Sequence, residues 1–376
     1  RHEAVRRFLT VDDDRAGTSG RARAAANEPL ETAPAIDTAA LVAALAALPD
    51  AGPVTRGHGV GAAGRVLPGP TGESNHLAVN ARGPVLVVGD EFADMVDGIA
   101  DQLPHVTKIV VIGEHPTHES FEDWIGRFEP TDPGVASSGG DIAFQLYSSG
   151  TTGRPKGVML SNDNFFGLLP LAKEIWELDE NSVNLAAMPL FHIGGGGWAT
   201  AGMYNGCTTV IMRDLDPMAL AALIEKHSVT HAFVVPAVLA FMLFTPDLDA
   251  SQLSSMEVMV YGASPISEDV LKQSVALFGC KFWQAYGLTE TTGAVFNLPP
   301  EDHDPDGPNK HRLRSCGVAG PGVEVRIVDD AGNDVADVGD VGEIWIKSDQ
   351  VMAGYWNNAE ATEEAIVDGW FKSGDA

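Results

Sequence analysis

Residues 148–157 combine the residue types that a phosphate-binding loop needs. The segment reads Ser-Ser-Gly-Thr-Thr-Gly-Arg-Pro-Lys-Gly and directly follows the apolar run 142–147. Glycines let backbone N–H groups approach a phosphate closely, hydroxyl groups add donors, and a lysine adds a point charge. The spacing differs from that of a Walker A loop. A plain surface turn is the alternative, but a turn does not need this density of donors. We therefore predict a phosphate site here.

A small-residue turn follows the predicted strand 256–261. It consists of Gly262, Ala263 and Ser264, and residues this small can lie flat against a planar base. The carboxyl ends of strands are where ligands bind in open α/β sheets. The same three residues are also compatible with an ordinary strand-to-helix turn.

Polar residues follow the next predicted strand, 281–286, in the same way. Tyr286 can stack on a ring, Thr289 can donate a hydrogen bond to a phosphate, and Glu290 can hold Mg²⁺. A strand end with a solvated glutamate is the alternative interpretation, and this segment alone does not separate the two.

Two further residues are candidates for ligand contact. His192 precedes four consecutive glycines, residues 194–197, which suggests the wall of a pocket. A lone histidine is nevertheless more often a packed core residue than a catalytic one. Asp375 can accept two hydrogen bonds from a vicinal diol such as ribose, as acidic residues do in dinucleotide-binding folds, or it can simply belong to an acidic turn.

The elements that position these residues alternate between strand and helix after residue 83, which predicts an α/β fold with mostly parallel sheets covered by helices. Residues 161–162 are predicted to cap a helix that runs toward Trp176, and Asp216 and Ser267 to cap two more. From about residue 315 the pattern changes to hairpins. We predict an atypical N-terminal region 1–82, an α/β core 83–314 and a small β subdomain 315–376.

The N-terminal region has an unusual composition. Residues 1–82 carry nine arginines and nine acidic residues, no lysine and one aromatic residue. The segment 38–48 is its single convincing helix by pattern. Either this region is disordered or loosely packed, or it does not represent the natural N-terminal sequence, for example because of a reading-frame error.

The net charge and the cysteine content limit which binding partners and which cellular compartment fit this sequence. The formal net charge of −28 argues against nucleic acid as a partner. The three cysteines are far apart, and no run of 18 apolar residues occurs. We therefore expect a cytoplasmic protein without a transmembrane segment; the sequence does not predict its oligomeric state.

In their order, these motifs resemble those of the adenylate-forming enzymes, which include acyl-CoA synthetases, luciferases and the adenylation domains of peptide synthetases. The resemblance covers residues 84–376, and the YSSGTTGRPKG segment is its most specific part. Weaker matches are Gly342-Glu343 and Gly354-Tyr355-Trp356. The resemblance implies a phosphate loop of Ser148, Ser149, Gly150, Thr151, Thr152, Gly153, Lys156 and Gly157, in which Thr151, Thr152 and Lys156 contact the β- and γ-phosphates of ATP. It also implies that Gly262, Ala263 and Ser264 line adenine with Tyr286 on its other face, and that Gly287 belongs to the same nucleotide site. Thr289 would contact the α-phosphate, Glu290 would bind Mg²⁺, Asp375 would hold the ribose, and His192 would lie near the acyl carboxylate.

The resemblance further implies a two-step reaction. A carboxylate attacks the α-phosphorus of Mg·ATP to give an acyl-adenylate, and a thiol, here coenzyme A, then displaces AMP. The leading interpretation is a fatty-acyl-CoA synthetase, in which the glycine run 194–197 is expected to leave room for an acyl chain. An enzyme that adenylates amino acids or aryl acids, and a non-catalytic ATP-binding fragment, are the alternatives.

Both ends of the sequence depart from the family pattern. Family members continue past the aspartate that Asp375 matches into a small C-terminal domain, which supplies a lysine for adenylation. The sequence stops at Ala376, so we expect ATP binding, poor adenylate formation and hardly any thioester. Members also carry apolar helices and strands at the front, which residues 1–82 lack; this favours the reading-frame interpretation.

Overall fold

The computed structural model describes residues 8–11, 83–129, 136–148, 155–213, 215–335 and 339–376, and the helix predicted at 38–48 lies outside them. The helices are α1 Asp90–Asp97, α2 Phe121–Ile125, α3 Asn162–Phe166, α4 Ala172–Trp176, α5 Ile193–Tyr204, α6 Pro217–His227, α7 Pro236–Phe244, α8 Glu268–Phe278 and α9 Ala359–Ala365. The strands are β1 Phe8–Val11, β2 Val85–Gly89, β3 Lys108–Ile112, β4 Glu119–Ser120, β5 Ile142–Ser148, β6 Lys156–Ser161, β7 Val183–Ala186, β8 Thr208–Ile211, β9 His231–Val234, β10 Val258–Gly262, β11 Lys281–Leu288, β12 Gly293–Leu298, β13 Val318–Ala319, β14 Glu324–Val328, β15 Glu343–Lys347, β16 Gly354–Tyr355, β17 Ile366–Val367 and β18 Trp370–Lys372.

The largest sheet has the strand order β1-β8-β7-β9-β10-β11-β12-β13 within the described residues. It is parallel from β1 to β11, and β12 and β13 are antiparallel. Every residue of β9 and β10 is buried. Since successive side chains of a strand point to opposite faces, this burial requires cover on both faces. The predicted α/β fold with helix-covered parallel strands is confirmed.

Two smaller sheets pack on the same core. One has the order β16-β6-β5, and the other has the order β14-β15-β18-β17; both are antiparallel. Leu146, Val158, Ile346 and Phe371 from these sheets belong to the same buried apolar cluster as the large sheet. The hairpins near the C-terminus therefore pack against the elements that carry the site.

A separate three-stranded parallel sheet, β2-β3-β4, lies at the start of the continuously described chain. Together with α1 and α2 it buries two small apolar clusters of its own, centred on Val111 and Trp124. The division of the chain at residues 82 and 314 remains a prediction.

The chain after Ser161 differs from the single helix that we predict there. Ser161 caps α3 as expected, in a capping box completed by Asn164. However, α3 ends at Phe166, a 3₁₀ turn spans 169–171, and α4 starts at Ala172. Gly167 and Pro170 explain the interruption, because both are poor helix formers and proline lacks the donor that a helix interior needs. The caps at Asp216 and Ser267 are confirmed, since each side chain accepts a hydrogen bond from a backbone N–H of its helix.

Candidate active site

Glu290 is a buried carboxylate of the candidate site, held by two hydrogen bonds. It lies in a 3₁₀ turn, Thr289–Thr291, directly after β11, and only 7% of its surface is exposed. Its Oε1 accepts a hydrogen bond from the Ser148 hydroxyl at 2.8 Å and another from the Tyr355 hydroxyl at 3.0 Å. Residues from three distant parts of the sequence therefore meet at one carboxylate oxygen.

The surroundings of Glu290 fit a bound Mg²⁺. Among the described residues no lysine, arginine or histidine forms an ion pair with this carboxylate, and both described donors reach Oε1 rather than Oε2. A buried carboxylate needs a compensating positive charge. Mg²⁺ is commonly held by one or two carboxylates together with phosphate oxygens and water. The described residues contain no cluster of three or more metal-binding side chains, so a ligand would have to complete the coordination.

Lys156 lies at the start of β6, opposite Ser148 in the β5–β6 register. Its Nζ is 4.9 Å from the centroid of the Tyr355 ring, a distance typical of a cation–π contact. Gly157 accepts a hydrogen bond at its carbonyl from the Trp356 N–H, at 2.7 Å. The two ends of the predicted phosphate loop are therefore held together by the strand pair and lie beside Glu290.

The loop itself lies outside the described residues. Ser149, Gly150, Thr151, Thr152 and Gly153 belong to that segment, and their roles stay predictions.

The predicted adenine turn follows β10 at the edge where β11 also ends. A Cβ added to Gly262 would collide with the carbonyl oxygen of Ala285 on β11, so only glycine allows this approach of the two strands. Ala263 has a φ of 65°, a left-handed conformation that is uncommon for a residue with a side chain. Ala263 and Ser264 are exposed, as residues that line a ligand would be in its absence.

Tyr286 and Asp375 meet on the same side of the molecule. The Tyr286 hydroxyl donates a hydrogen bond to Asp375 Oδ2 at 2.6 Å. Burial of the ring, followed by the carboxylate of Asp375, raises the pKa of Tyr286, so its hydroxyl stays protonated and donates. Asp375 itself is exposed, and its carbonyl accepts a hydrogen bond from the Ile344 N–H at 2.9 Å. The residues predicted to hold adenine and ribose are therefore in contact.

In the sequence, Gly287 and Thr289 lie between Tyr286 and Glu290. Thr289 starts the turn that carries Glu290 and is partly exposed. Gly287 follows an irregularity in the β11–β12 register, opposite Ala294. The predicted contact of Thr289 with the α-phosphate and the predicted place of Gly287 in the nucleotide site stay predictions.

His192 precedes the first residue of α5 and is exposed. Partial burial of its ring lowers its pKa, so it is mainly neutral at pH 7. The side chain of Ile193, the next residue, lies 3.8 Å from the position of a Cβ built on Gly293. The start of α5 therefore adjoins the turn that carries Glu290, which fits the predicted place of His192 near the reacting carboxylate.

The glycines that follow His192 do not open the space that we expect from the sequence. A Cβ at Gly195 would collide with the carbonyl oxygen of Pro189, and one at Gly196 would come within 2.6 Å of that of Leu190. These glycines let the segment 188–190 pack closely against α5.

Sequence reasoning missed Tyr355 as a functional candidate and Gln350 as a buried residue that supports the site. Tyr355 is identified from the sequence merely as part of a structural signature, yet it contacts both Glu290 and Lys156. Gln350 is buried and donates to the carbonyl of Ala294 at 2.9 Å. No local spacing signals these contacts, because the partners are 56 or more residues apart.

None of the helices in the described ranges has the length and apolar composition that a membrane crossing requires.

The comparison with known proteins agrees with this geometry. The family model of the AMP-binding enzyme matches residues 66–356, a range that starts inside the region 1–82. The fatty acid–[acyl-carrier-protein] ligase ScoC of Streptomyces coeruleorubidus is 37% identical over 311 residues, which cover 81% of this chain and 57% of ScoC. The indoleacetate–CoA ligase of Aromatoleum aromaticum is 32% identical over 314 residues, covering 82% of this chain and 59% of that protein.

A solved structure shows the same fold. The crystal structure of the anthranilate CoA ligase AuaEII in complex with anthranoyl-AMP matches with a TM-score of 0.72 and 27% identity, covering 81% of this chain and 58% of that one. The chain thus spans less than two thirds of the length of these three proteins. The extent of the family match and the identity to ScoC show that the chain belongs to the AMP-binding enzyme family, the adenylate-forming enzymes that its motifs resemble.

Proposed function

We propose that this protein activates a carboxylic acid with Mg·ATP to form an acyl-adenylate and pyrophosphate. The observation that carries the proposal is the 2.8 Å hydrogen bond from Ser148 to Glu290. It joins the start of the phosphate loop to a buried carboxylate that fits a magnesium site. Phosphoryl and nucleotidyl transfer depend mainly on this kind of positioning and charge neutralisation.

The described side chains have distinct roles in this proposal. Glu290 would hold Mg²⁺, which when bound neutralises phosphate charge. Lys156 provides a positive charge for the β- and γ-phosphates, and Thr289 donates a hydrogen bond to the α-phosphate. Asp375 accepts hydrogen bonds from the ribose hydroxyls. To do so, its carboxylate gives up the hydrogen bond from Tyr286, and because Asp375 is already exposed this requires no large movement.

His192 would orient the attacking carboxylate. Its lowered pKa keeps the ring neutral at pH 7, so it can donate one hydrogen bond to a carboxylate oxygen without a strong ion pair that would make that oxygen a weaker nucleophile.

For the substrate we propose a fatty acid, with coenzyme A as the second acceptor. The similarity to a fatty acid–[acyl-carrier-protein] ligase supports the acid class. An aryl acid is the second candidate. It is favoured by aromatic rings near His192. The Phe191 and His192 ring centroids are 4.6 Å apart, and a Cβ built on Gly194 would lie 2.9 Å from the Phe233 ring. Relatives that act on indoleacetate and anthranilate support this alternative.

The test is a panel of fatty, aryl and amino acids incubated with Mg·ATP, with release of pyrophosphate and hydroxylamine trapping of the adenylate as readouts. Trapped product with fatty acids and not with aryl or amino acids is the expected result. Trapped product with aryl or amino acids instead would retain acid activation and replace the substrate. ATP binding without any product across the panel, also in a chain extended to the length of its relatives, would favour a non-catalytic nucleotide-binding protein.

A further inference from the structure

We propose that Tyr355 is a positioning residue that sets the metal-binding carboxylate and the phosphate-binding lysine at a fixed distance from each other. This inference rests on the proposed function, since it concerns how the same site is prepared for Mg·ATP. It assigns separate roles to the two parts of the side chain, the hydroxyl and the ring.

The hydroxyl orients Glu290. It donates to Oε1 at 3.0 Å, and Ser148 donates to the same oxygen at 2.8 Å. Two donors on one oxygen fix the plane of the carboxylate and direct Oε2 away from both of them. A hydrogen bond to a charged acceptor is among the stronger ones in proteins. Oε2 is then presented in one orientation to a cation.

The ring orients Lys156. Its face lies beneath the ammonium group, with 4.9 Å between Nζ and the ring centroid. Lysine has a long flexible side chain and loses considerable conformational entropy when it binds a ligand. A ring that already holds the ammonium in place reduces this cost at the moment when a phosphate binds.

The backbone around Tyr355 makes the residue a rigid bridge. β16 pairs with β6, with Tyr355 opposite Val158. The Tyr355 N–H donates to the Thr362 hydroxyl at 2.9 Å. Three residues earlier, the Met352 N–H donates to the carbonyl of Glu290 at 2.8 Å. The segment from Met352 to Tyr355 is therefore hydrogen-bonded both to β6, the strand that carries Lys156, and to the turn that carries Glu290.

Two substitutions separate the hydroxyl from the ring. Tyr355→Phe removes the hydroxyl and keeps the ring, whereas Tyr355→Leu removes both. The measurement is the affinity for ATP by titration calorimetry, once with Mg²⁺ and once with EDTA. The ratio of the two affinities measures how well Glu290 holds Mg²⁺. The affinity in EDTA measures the contribution of Lys156 to phosphate binding without the metal.

We expect Tyr355→Phe to lower the Mg²⁺-dependent gain in ATP affinity about tenfold and to leave the affinity in EDTA within about twofold of wild type. We expect Tyr355→Leu to lower that gain equally and, in addition, to lower the affinity in EDTA about three- to tenfold. A purely structural role would lower both affinities together in both variants.

The matched control is Tyr261→Phe, which removes a buried tyrosine hydroxyl that contacts His303 at 3.1 Å instead of Glu290. It should leave the ratio of affinities unchanged. An unchanged ratio in Tyr355→Phe, with a wild type that shows the Mg²⁺-dependent gain, would overturn the proposal. A wild type that binds no ATP would instead contradict the proposed function. If Tyr355→Leu does not fold, Tyr355→Phe alone decides, because it preserves the shape of the side chain.

Discussion

The two ends of the candidate nucleotide site are built differently. At the metal end, Glu290 is buried and accepts hydrogen bonds from Ser148 and Tyr355. At the nucleoside end, Asp375 is exposed, and its carboxylate accepts a hydrogen bond from the Tyr286 hydroxyl. The buried end has its geometry set by the protein before a ligand arrives, whereas the carboxylate of the exposed end can exchange its partner for the ligand.

This difference has a physical reason. A charge that is desolvated needs fixed partners, because leaving it unpaired costs several kcal/mol. An exposed carboxylate is stabilised by water and can rearrange at little cost. Selectivity for the metal should therefore depend on preorganisation, and selectivity for the sugar on hydrogen bonds formed upon binding.

The largest effect should come from Glu290→Gln, which keeps the shape of the side chain and removes its charge. We expect the Mg²⁺-dependent gain in ATP affinity to disappear and adenylate formation, measured by hydroxylamine trapping, to fall about 10²-fold or more. Glu363→Gln, on the exposed part of α9, is the control and should behave like wild type. Full activity of Glu290→Gln would show that the metal end is misassigned.

Asp375→Ala tests the exposed end. We expect ATP affinity to fall roughly 10- to 100-fold, because hydrogen bonds to a charged group are lost. Wild type should discriminate against 2′-deoxy-ATP, and the variant should bind ATP and 2′-deoxy-ATP about equally. Asp368→Asn, which changes another exposed aspartate, should retain the discrimination. If Asp375→Ala retained it as well, the carboxylate would not contact the sugar.

Ser148→Ala should have a smaller effect than Glu290→Gln, since Tyr355 still donates to the same oxygen. We expect about a tenfold loss of the Mg²⁺-dependent gain and no change in the discrimination against 2′-deoxy-ATP. Calorimetry with both nucleotides separates these outcomes. A loss of sugar discrimination in this variant would mean that the two ends are coupled and would contradict the contrast between them.

The smallest expected effect is on the pH dependence of stability. It comes from His303, which contacts Tyr261 near the predicted adenine turn. His303 is buried; its Nδ1 faces the Pro299 carbonyl at 2.8 Å, and its Nε2 faces the Tyr261 hydroxyl at 3.1 Å. Burial lowers its pKa below the ordinary 6.5, although the Pro299 carbonyl, Asp302 and Glu301 partly oppose this. At pH values between the lowered pKa of the folded protein and 6.5, the unfolded chain therefore binds more protons than the folded protein does.

It follows that the contribution of His303 to stability is complete above about pH 6.5 and is lost as the pH falls toward the lower, folded-state value. We expect the melting temperature of wild type to decrease more steeply from pH 7.5 to 5.5 than that of His303→Gln, as measured by calorimetry. Parallel curves for the two proteins would show that this histidine does not titrate in the window.

The sequence allowed much of the fold to be predicted, because its signals are local. The caps at Asp216 and Ser267 and the strand Lys108–Ile112 agree with the structure. The helix after Ser161 was overestimated, since Gly167 and Pro170 interrupt it. At the site, the roles of the strand-end residues stay predictions, each drawn from its own segment. The Tyr355 contacts were not predictable, because they depend on strand pairing between distant segments, which no local pattern encodes.

The pairing of β6 with β16 has a consequence for how the protein is made. Val158 and Tyr355 are opposite each other in the sheet, yet the ribosome adds the second about 200 residues after the first. Contacts of such long sequence separation form slowly and late in folding. A nascent chain that has not yet emerged to β16 leaves the outer edge of the lysine-bearing strand without its partner. The candidate nucleotide site is therefore completed only after β16 has emerged from the ribosome, when the large parallel sheet has already emerged.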